Sequence, residues 1–147
     1  MSIEDDVALL ERVPTLRLLG AAALRMLAIG SELRNFGRGD VLFNAGEEAD
    51  AGFVVQRGSF RIDDGMAAEI IAGPGTLIGE LALVVAMKRP STATSLDNSA
   101  VVRISRSLFQ RVLESDPAAA RRLRDEFATR TSQIASDILM AGGKLST

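Results

Sequence analysis

The sequence predicts an α+β fold in which an antiparallel β barrel or jelly roll is flanked by N-terminal helices and a long C-terminal helix. Apolar residues recur at helical spacing near both ends of the chain, whereas the middle contains short apolar segments separated by turns. With 147 residues, of which 47% are hydrophobic and 24% charged, the chain has the length and composition of one globular domain. We therefore expect a single domain over residues 1–147, with helices in 5–30, a barrel in 33–104 and C-terminal helices in 105–141.

Two helices are predicted before the barrel. The first covers residues 5–12, and Pro14 is expected to end it because proline lacks the N–H that a continuing helix needs. The second covers residues 21–29, and Gly30 is expected to be its C-cap.

Six short segments in the middle of the chain have the length and apolar content of strands. They are residues 41–44, 52–56, 59–62, 67–72, 92–96 and 101–104. Asp64-Gly65 is typical of a hairpin and Asp97-Asn98 of a turn. Short strands with regular turns favour an antiparallel barrel or a jelly roll.

Helical spacing returns at Ser105. Four apolar residues then share one helical face, namely Leu108, Phe109, Val112 and Leu113. Asp116-Pro117 is typical of an N-cap followed by proline at the first helical position, which predicts a long helix over 118–141 that ends at Gly142-Gly143.

The composition excludes several kinds of site. The chain has no Cys and no His, so disulfides, thiol nucleophiles, imidazole catalysis and the common zinc ligands are absent, and we expect neither a metal nor an enzyme on a small metal-binding barrel. A net charge of −2 argues against a general nucleic-acid-binding surface. No apolar run is long enough to span a bilayer and the acidic start lacks the features of a signal peptide, so we expect a cytoplasmic chain with no membrane partner.

Residues 71–95 combine small residues, one acid, an apolar segment and an arginine. Gly79-Glu80 opens the apolar segment 81–87, for which we expect a short helix whose N-terminus offers backbone N–H groups to an anion. The planar guanidinium of Arg89 suits phosphate, and the carboxylate of Glu80 suits a sugar hydroxyl. The pattern therefore indicates a cradle for an anion that also carries hydroxyl groups. The alternative is an apolar core segment followed by a solvated Arg89.

This stretch resembles the phosphate-binding cassette of the cyclic-nucleotide-binding domains found in the catabolite activator protein, protein kinase A regulatory subunits and cyclic-nucleotide-gated channels. Ile78-Gly79-Glu80-Leu81-Ala82-Leu83 matches the first part of that cassette, and Arg89 and Thr92 match its arginine and threonine. The stretches 36–47 and 53–62 extend the resemblance, which covers about residues 13–115. It implies a jelly-roll barrel, also called a double-stranded β-helix, with the cassette at 78–92.

The resemblance also implies roles for individual residues. Glu80 is expected to hold the ribose 2′-hydroxyl and Arg89 the cyclic phosphate. The complete expected ligand-binding set is Ile78, Gly79, Glu80, Leu81, Ala82, Arg89, Pro90, Ser91 and Thr92. Pro90 departs from the family, which usually has Ala, Ser or Thr there, and its lack of an N–H removes a donor to the phosphate. Because Pro90 also lacks the hydroxyl that cGMP-preferring relatives often use, the expected ligand is cAMP rather than cGMP.

The resulting hypothesis is a non-catalytic regulatory module in which cyclic-nucleotide binding moves the last helix. The family implies that this helix is a lid over the base or a homodimer contact; otherwise it packs on the barrel with Arg121, Arg122 and Arg124 solvated. We expect no DNA binding by this chain itself, and the effector partner is not identified by the sequence. The alternatives are a degenerate, non-binding relative that serves dimerisation or protein contact, and the sensor fragment of a transcription regulator or channel.

Overall fold

The structure, a computed structural model, describes residues 2–63, 65, 69–126, 128 and 129. Its helices are α1 (Ile3–Glu11), α2 (Pro14–Arg17), α3 (Ala21–Gly30) and α4 (Arg106–Ser115), and residues 117–126, 128 and 129 are also helical. Its strands are β1 (Glu32–Phe36), β2 (Val41–Phe43), β3 (Glu48–Ala49), β4 (Ala51–Arg57), β5 (Phe60–Asp63), β6 (Glu69–Ala72), β7 (Leu77–Ile78), β8 (Met87–Lys88), β9 (Thr92–Ser95) and β10 (Ser99–Ser105).

The strands form antiparallel sheets. One has the order β1-β10-β4-β7, the second has the order β2-β9-β5-β6, and β3 pairs with β8 as a short ribbon. The two four-stranded sheets contribute to one apolar cluster between them, in which Phe36 contacts Phe60 edge to face and Phe43 lies against Phe53. The predicted α+β fold with an antiparallel jelly roll is therefore confirmed.

The central strand β4 is buried on both faces, which explains its nearly continuous apolar sequence. Phe53 and Val55 belong to the cluster between the sheets, whereas Val54 belongs to a second cluster on the outer face. The helices supply the other side of that second cluster, chiefly through Leu10, Leu16, Leu24, Leu27 and Phe109. The helices consequently pack on the sheet that also contains β7, the strand leading directly into the cassette.

The predicted strands are present with shifted ends, and four others were missed, namely β1, β3, β7 and β8. The N-cap role predicted for Asp116 is confirmed, since its Oδ1 accepts from the Ala119 N–H at 3.1 Å. The predicted C-cap role of Gly30 is wrong, because Gly30 is helical and is not among the glycines with positive φ. A Cβ on Gly30 would lie 2.6 Å from Leu108 Cδ1, so its small size lets α3 approach α4 closely.

Parts of three predictions fall outside the described residues: Asp64 of the hairpin, residues 67 and 68 of the sixth strand, and the long helix beyond 129 with its glycine end. Within the described part of the chain, no helix is both long enough and apolar enough to cross a bilayer.

Candidate functional site

The cassette lines a cavity of about 350 Å³. The other walls come from β2, β5 and β6, whose contribution is apolar: Phe43, Ile62, Ile70 and Ala72. Every residue of the expected ligand-binding set lines this cavity except Thr92. A volume of this size is typical of a small-molecule site, which combines apolar walls with a few polar groups.

Gly79 connects β7 to the cassette in the left-handed conformation, with φ of +78°. A side chain is excluded there for a second reason, because a Cβ would lie 2.6 Å from Arg89 Nη1. The helix expected over 81–87 is wrong beyond Leu83: the chain forms a four-residue 3₁₀ turn, Glu80–Leu83, and then pairs as β8 with β3. This early end lets the chain reverse and return Arg89 to the cavity. So short a turn aligns few peptide dipoles, which removes most of the expected helix-dipole contribution.

Arg89 is almost completely buried, with 6% of its surface exposed. Its Nη2 donates to the backbone carbonyl of Ala51 at 2.9 Å, and its guanidinium carbon lies 4.2 Å from the ring centre of Phe43 and 5.4 Å from that of Phe53. Its Nε has no hydrogen-bond partner within the described residues. The alternative of a solvated arginine is therefore wrong.

The charge of Arg89 is only partly balanced. Burial lowers the pKa of Arg89, more distant Asp50 and Glu47 act in the opposite direction, and Arg103 adds to the lowering. None of the ion pairs formed in the described part of the chain includes Arg89. A desolvated guanidinium without a contacting carboxylate favours an anion in the adjacent cavity.

The loop before β3 holds Arg89 through its backbone. The Gly46 N–H donates to the Arg89 carbonyl at 2.8 Å, and the Arg89 N–H donates to the Glu47 carbonyl at 2.7 Å. Thr92 belongs to this support, because its hydroxyl accepts from the Ala45 N–H at 2.9 Å. The structure therefore places Thr92 beneath the loop that holds Arg89 and outside the cavity lining.

Glu80 is half-buried, and its carboxylate is oriented by an N-terminal helix. The hydroxyl of Thr15, on α2, donates to Glu80 Oε1 at 2.6 Å, and Thr15 is 4% exposed. Sequence reasoning missed Thr15, because no local pattern links two residues that are 65 positions apart.

Pro90 and Ser91 line the cavity directly after Arg89, Pro90 exposed and Ser91 half-buried. Proline has no N–H, so the backbone at position 90 presents no donor to the cavity. Leu81 and Ile70, which also line the cavity, are 55% and 63% exposed. The cavity thus has a polar side at the cassette and an apolar side at β5 and β6.

Two arginines connect the site to the C-terminal helices. Arg106, the first residue of α4, directs Nη1 at the carbonyl of Ala82 in the 3₁₀ turn at 3.3 Å, at that of Val85 just after the turn at 2.9 Å, and at that of Ala49 at 3.0 Å. Arg122, in the helical segment 117–126, donates from Nε and Nη2 to the carbonyls of Leu18 and Leu19, both at 2.7 Å. Arg122 is exposed, as the alternative of a solvated arginine implies, but its guanidinium is also bonded to these two carbonyls.

Comparisons with known proteins identify the family of this chain. The family model for the cyclic nucleotide-binding domain matches residues 33–116. The HTH-type transcriptional regulator Cmr of Mycobacterium tuberculosis is 30% identical over 110 residues, which are 72% of this chain and 45% of the regulator. The chain therefore spans less than half the length of that curated relative.

Two solved structures are similar in fold. The N-terminal domain of a transcriptional regulator from Streptomyces coelicolor A3(2) superposes with a TM-score of 0.81 at 26% identity, over 88% of this chain and 94% of that one. A cyclic nucleotide-binding-like protein from Brucella abortus superposes with a TM-score of 0.66 at 32% identity, over 75% of this chain and 98% of that one.

Among the described residues, no group of three or more acidic side chains is arranged to hold a metal ion.

Proposed function

We propose a function from the family of the chain, which belongs to the cyclic nucleotide-binding domain family. The chain is a regulatory module that binds cAMP in the cavity between Glu80 and Arg89. Residues 1–147 form one domain in this proposal. The chain has no catalytic role in it, since the chemistry that the cavity supports is recognition of an anion, a hydroxyl group and an apolar ring.

The observation that carries the proposal is the buried and only partly balanced charge of Arg89. Its guanidinium is desolvated against two aromatic rings, and its Nε lacks a partner within the described residues. An isolated buried charge is unfavourable, and a bound phosphate would supply both the opposite charge and the missing acceptor. A cyclic phosphodiester carries one negative charge, which matches one guanidinium.

The remaining parts of the ligand follow from the other walls. Glu80 accepts from the ribose 2′-hydroxyl, while Ile78, Gly79, Leu81 and Ala82 surround the sugar and phosphate. The base lies toward the apolar side, formed by Ile62, Ile70 and Ala72. We propose cAMP over cGMP because Pro90 lacks the hydroxyl that would favour guanine, and Ser91 compensates in part for the missing backbone donor at position 90.

The output runs through the arginines that join the site to the C-terminal helices. Ligand binding that shifts the cassette turn changes the carbonyls that Arg106 contacts, and Arg122 connects the last described helix to the end of α2. A signal requires that the ligand bind two arrangements of these helices with different affinity. By similarity to the transcriptional regulators, we propose that the module is the sensor of a larger regulator. We also propose a homodimer contact through the long helix predicted over 118–141, most of which lies outside the described residues.

Titration of the purified chain with cAMP, cGMP and 5′-AMP by calorimetry tests the proposal. We expect one saturable site per chain for cAMP, weaker binding of cGMP, and much weaker binding of 5′-AMP, whose phosphate is not cyclic. Thermal unfolding with and without ligand gives an independent measurement, because a ligand of the folded state raises the midpoint. No heat and no thermal shift with any nucleotide would favour the alternative of a non-binding relative, for which Pro90 is the supporting feature.

A further inference from the structure

We infer that Thr15, on the N-terminal helix α2, is a positioning residue for Glu80 and thereby sets the selectivity of the site for a ribose 2′-hydroxyl. This inference rests on the proposed function, because it concerns the acceptor in that cavity. The inference goes beyond the proposed function because it assigns part of the recognition of the ribose to a residue that is far from the cassette in sequence.

The geometry of the contact carries the inference. The Thr15 hydroxyl donates to Glu80 Oε1 at 2.6 Å, a length typical of an O–H donor bonded to an ionised carboxylate. Thr15 is 4% exposed, so water does not readily replace it, whereas Glu80 is half-buried at the cavity wall. A carboxylate has about four acceptor positions, so Glu80 can accept from Thr15 and from further donors at the same time.

The position of α2 makes this hydrogen bond rigid. Thr15 follows Pro14, which begins α2 with a fixed φ, and Leu16 is completely buried in the core under the helices. The Thr15 hydroxyl is therefore held by an element that is packed on the core. We expect the direction of the Glu80 carboxylate to depend on Thr15.

The expected size of the effect follows from rotamer populations. A side-chain torsion released from a single well distributes over about three staggered wells, and the apparent dissociation constant rises as the competent fraction falls. Release of one or two torsions of Glu80 should thus weaken the 2′-hydroxyl contribution by about threefold to tenfold. Ligands without that hydroxyl should be unaffected.

The test measures the ratio of dissociation constants for 2′-deoxy-cAMP and cAMP in wild type, Thr15→Val and Thr15→Ser. Valine keeps the shape of threonine without the hydroxyl, and serine keeps the hydroxyl. We expect the ratio to fall about threefold to tenfold in Thr15→Val and to recover in Thr15→Ser. Thr94→Val, on β9 outside the cavity lining, is the matched control and should keep the wild-type ratio.

Each outcome separates this inference from the function on which it rests. If wild type does not bind cAMP, the proposed function fails. If wild type prefers cAMP to its 2′-deoxy analogue and Thr15→Val keeps that preference, only the inference fails. A preference that increases in Thr15→Val also overturns it, since Thr15 would then compete with the ribose for Glu80.

A double-mutant cycle distinguishes an effect of Thr15 on the position of Glu80 from a general effect on folding. In a Glu80→Gln background, Thr15→Val should leave the ratio unchanged, because the carboxylate that it positions is gone. If Thr15→Val lowers the ratio equally in both backgrounds, Thr15 acts independently of Glu80 and the inference is wrong. If Thr15→Val is too unstable to titrate, the cycle is carried out with Thr15→Ala, for which the same ratios are expected.

Discussion

Replacing Arg89 by Leu is expected to remove cAMP binding while leaving the free domain about as stable as before. Two favourable interactions are lost: the hydrogen bond to the Ala51 carbonyl, about 1.5–3 kcal/mol for a charged donor, and the contacts with the Phe43 and Phe53 rings, about 0.5–2 kcal/mol. Against them stands the desolvation of a buried charge, which costs several kcal/mol. A leucine among two aromatic rings has no such penalty, so we expect the free energy of unfolding to change by less than about 2 kcal/mol.

The lowered pKa of Arg89 gives the sign of the electrostatic contribution of this residue to the free energy of unfolding. A base whose pKa is lower in the folded than in the unfolded state binds its proton more weakly when folded, so its charged form opposes folding at every pH below both values. Neutral pH lies far below the pKa of arginine in either state, so this contribution to the free energy of unfolding is fully present there and does not vary with pH. The stability difference between wild type and Arg89→Leu should therefore be constant between about pH 6 and pH 8.

The effect on binding should be much larger. A guanidinium that donates two hydrogen bonds to the phosphate contributes about 3–6 kcal/mol, so Arg89→Leu should weaken cAMP about 10²- to 10⁴-fold. Calorimetry measures the affinity, and thermal unfolding checks it, because a ligand at 100 times its dissociation constant stabilises the wild type by about 2.7 kcal/mol. That stabilisation should disappear in the variant at the same ligand concentration.

Lys88→Leu is the matched control for Arg89→Leu. It makes the same change in net charge at the neighbouring residue, which is exposed and outside the cavity lining. Its long-range effect is screened by salt, so cAMP affinity should change by less than about threefold. Wild-type affinity in Arg89→Leu would refute the assignment of Arg89 to the phosphate. Unfolding of the free variant would show that the buried charge supports the fold itself.

Three further substitutions test separate parts of the site. Gly79→Ala should destabilise the fold by about 1–3 kcal/mol and weaken cAMP at least about tenfold, since a Cβ would displace Arg89; Gly39→Ala, with the same positive φ and open space around it, should strain the backbone and leave affinity unchanged in calorimetry. Pro90→Ala should strengthen cAMP by up to about a hundredfold by restoring a backbone donor, and weaker binding in the same titration would contradict that account. Arg122→Met should lower the free energy of unfolding by about 1–2 kcal/mol and speed hydrogen exchange in the last described helix; the exposed Arg121→Met should do neither, and equal effects of both would refute the connection.

The sequence was sufficient to predict the cassette because its parts are local. Gly79, Glu80 and Arg89 lie within one short stretch, and all three line the cavity. The longer strands were also predictable, since β4 and β10 are continuous apolar segments between turns. Two-residue strands such as β3 and β8 have too few side chains to show a period, so they could not be predicted from pattern.

The missed features of the site depend on contacts between residues that are distant in sequence. Arg89 follows Lys88 and looks like one of two surface charges, and its burial depends on the rings of Phe43 and Phe53 brought by separate strands. Thr15 and Glu80 are 65 positions apart, and Arg122 and Leu18 are 104 apart. A polar side chain on a helix is normally assigned to solvent when only its own segment is considered. Such pairings become visible only when the packing of the helices on the sheet is known.

The burial of Arg89 gives a physical reason for the anion selectivity that we propose for this cavity. Binding a phosphate to a solvated arginine would first require removing water and ordering a long side chain, which reduces affinity. Here the guanidinium is desolvated and is held by the Ala51 carbonyl and the aromatic rings, while Gly46 and Glu47 hold the backbone of Arg89. A neutral ligand leaves this charge unbalanced, whereas an anion balances it with little rearrangement of the site. In the proposed site, charge therefore gives a discrimination between ligands that apolar walls do not give, and the positive φ of Gly79 and the loop before β3 both help to position Arg89.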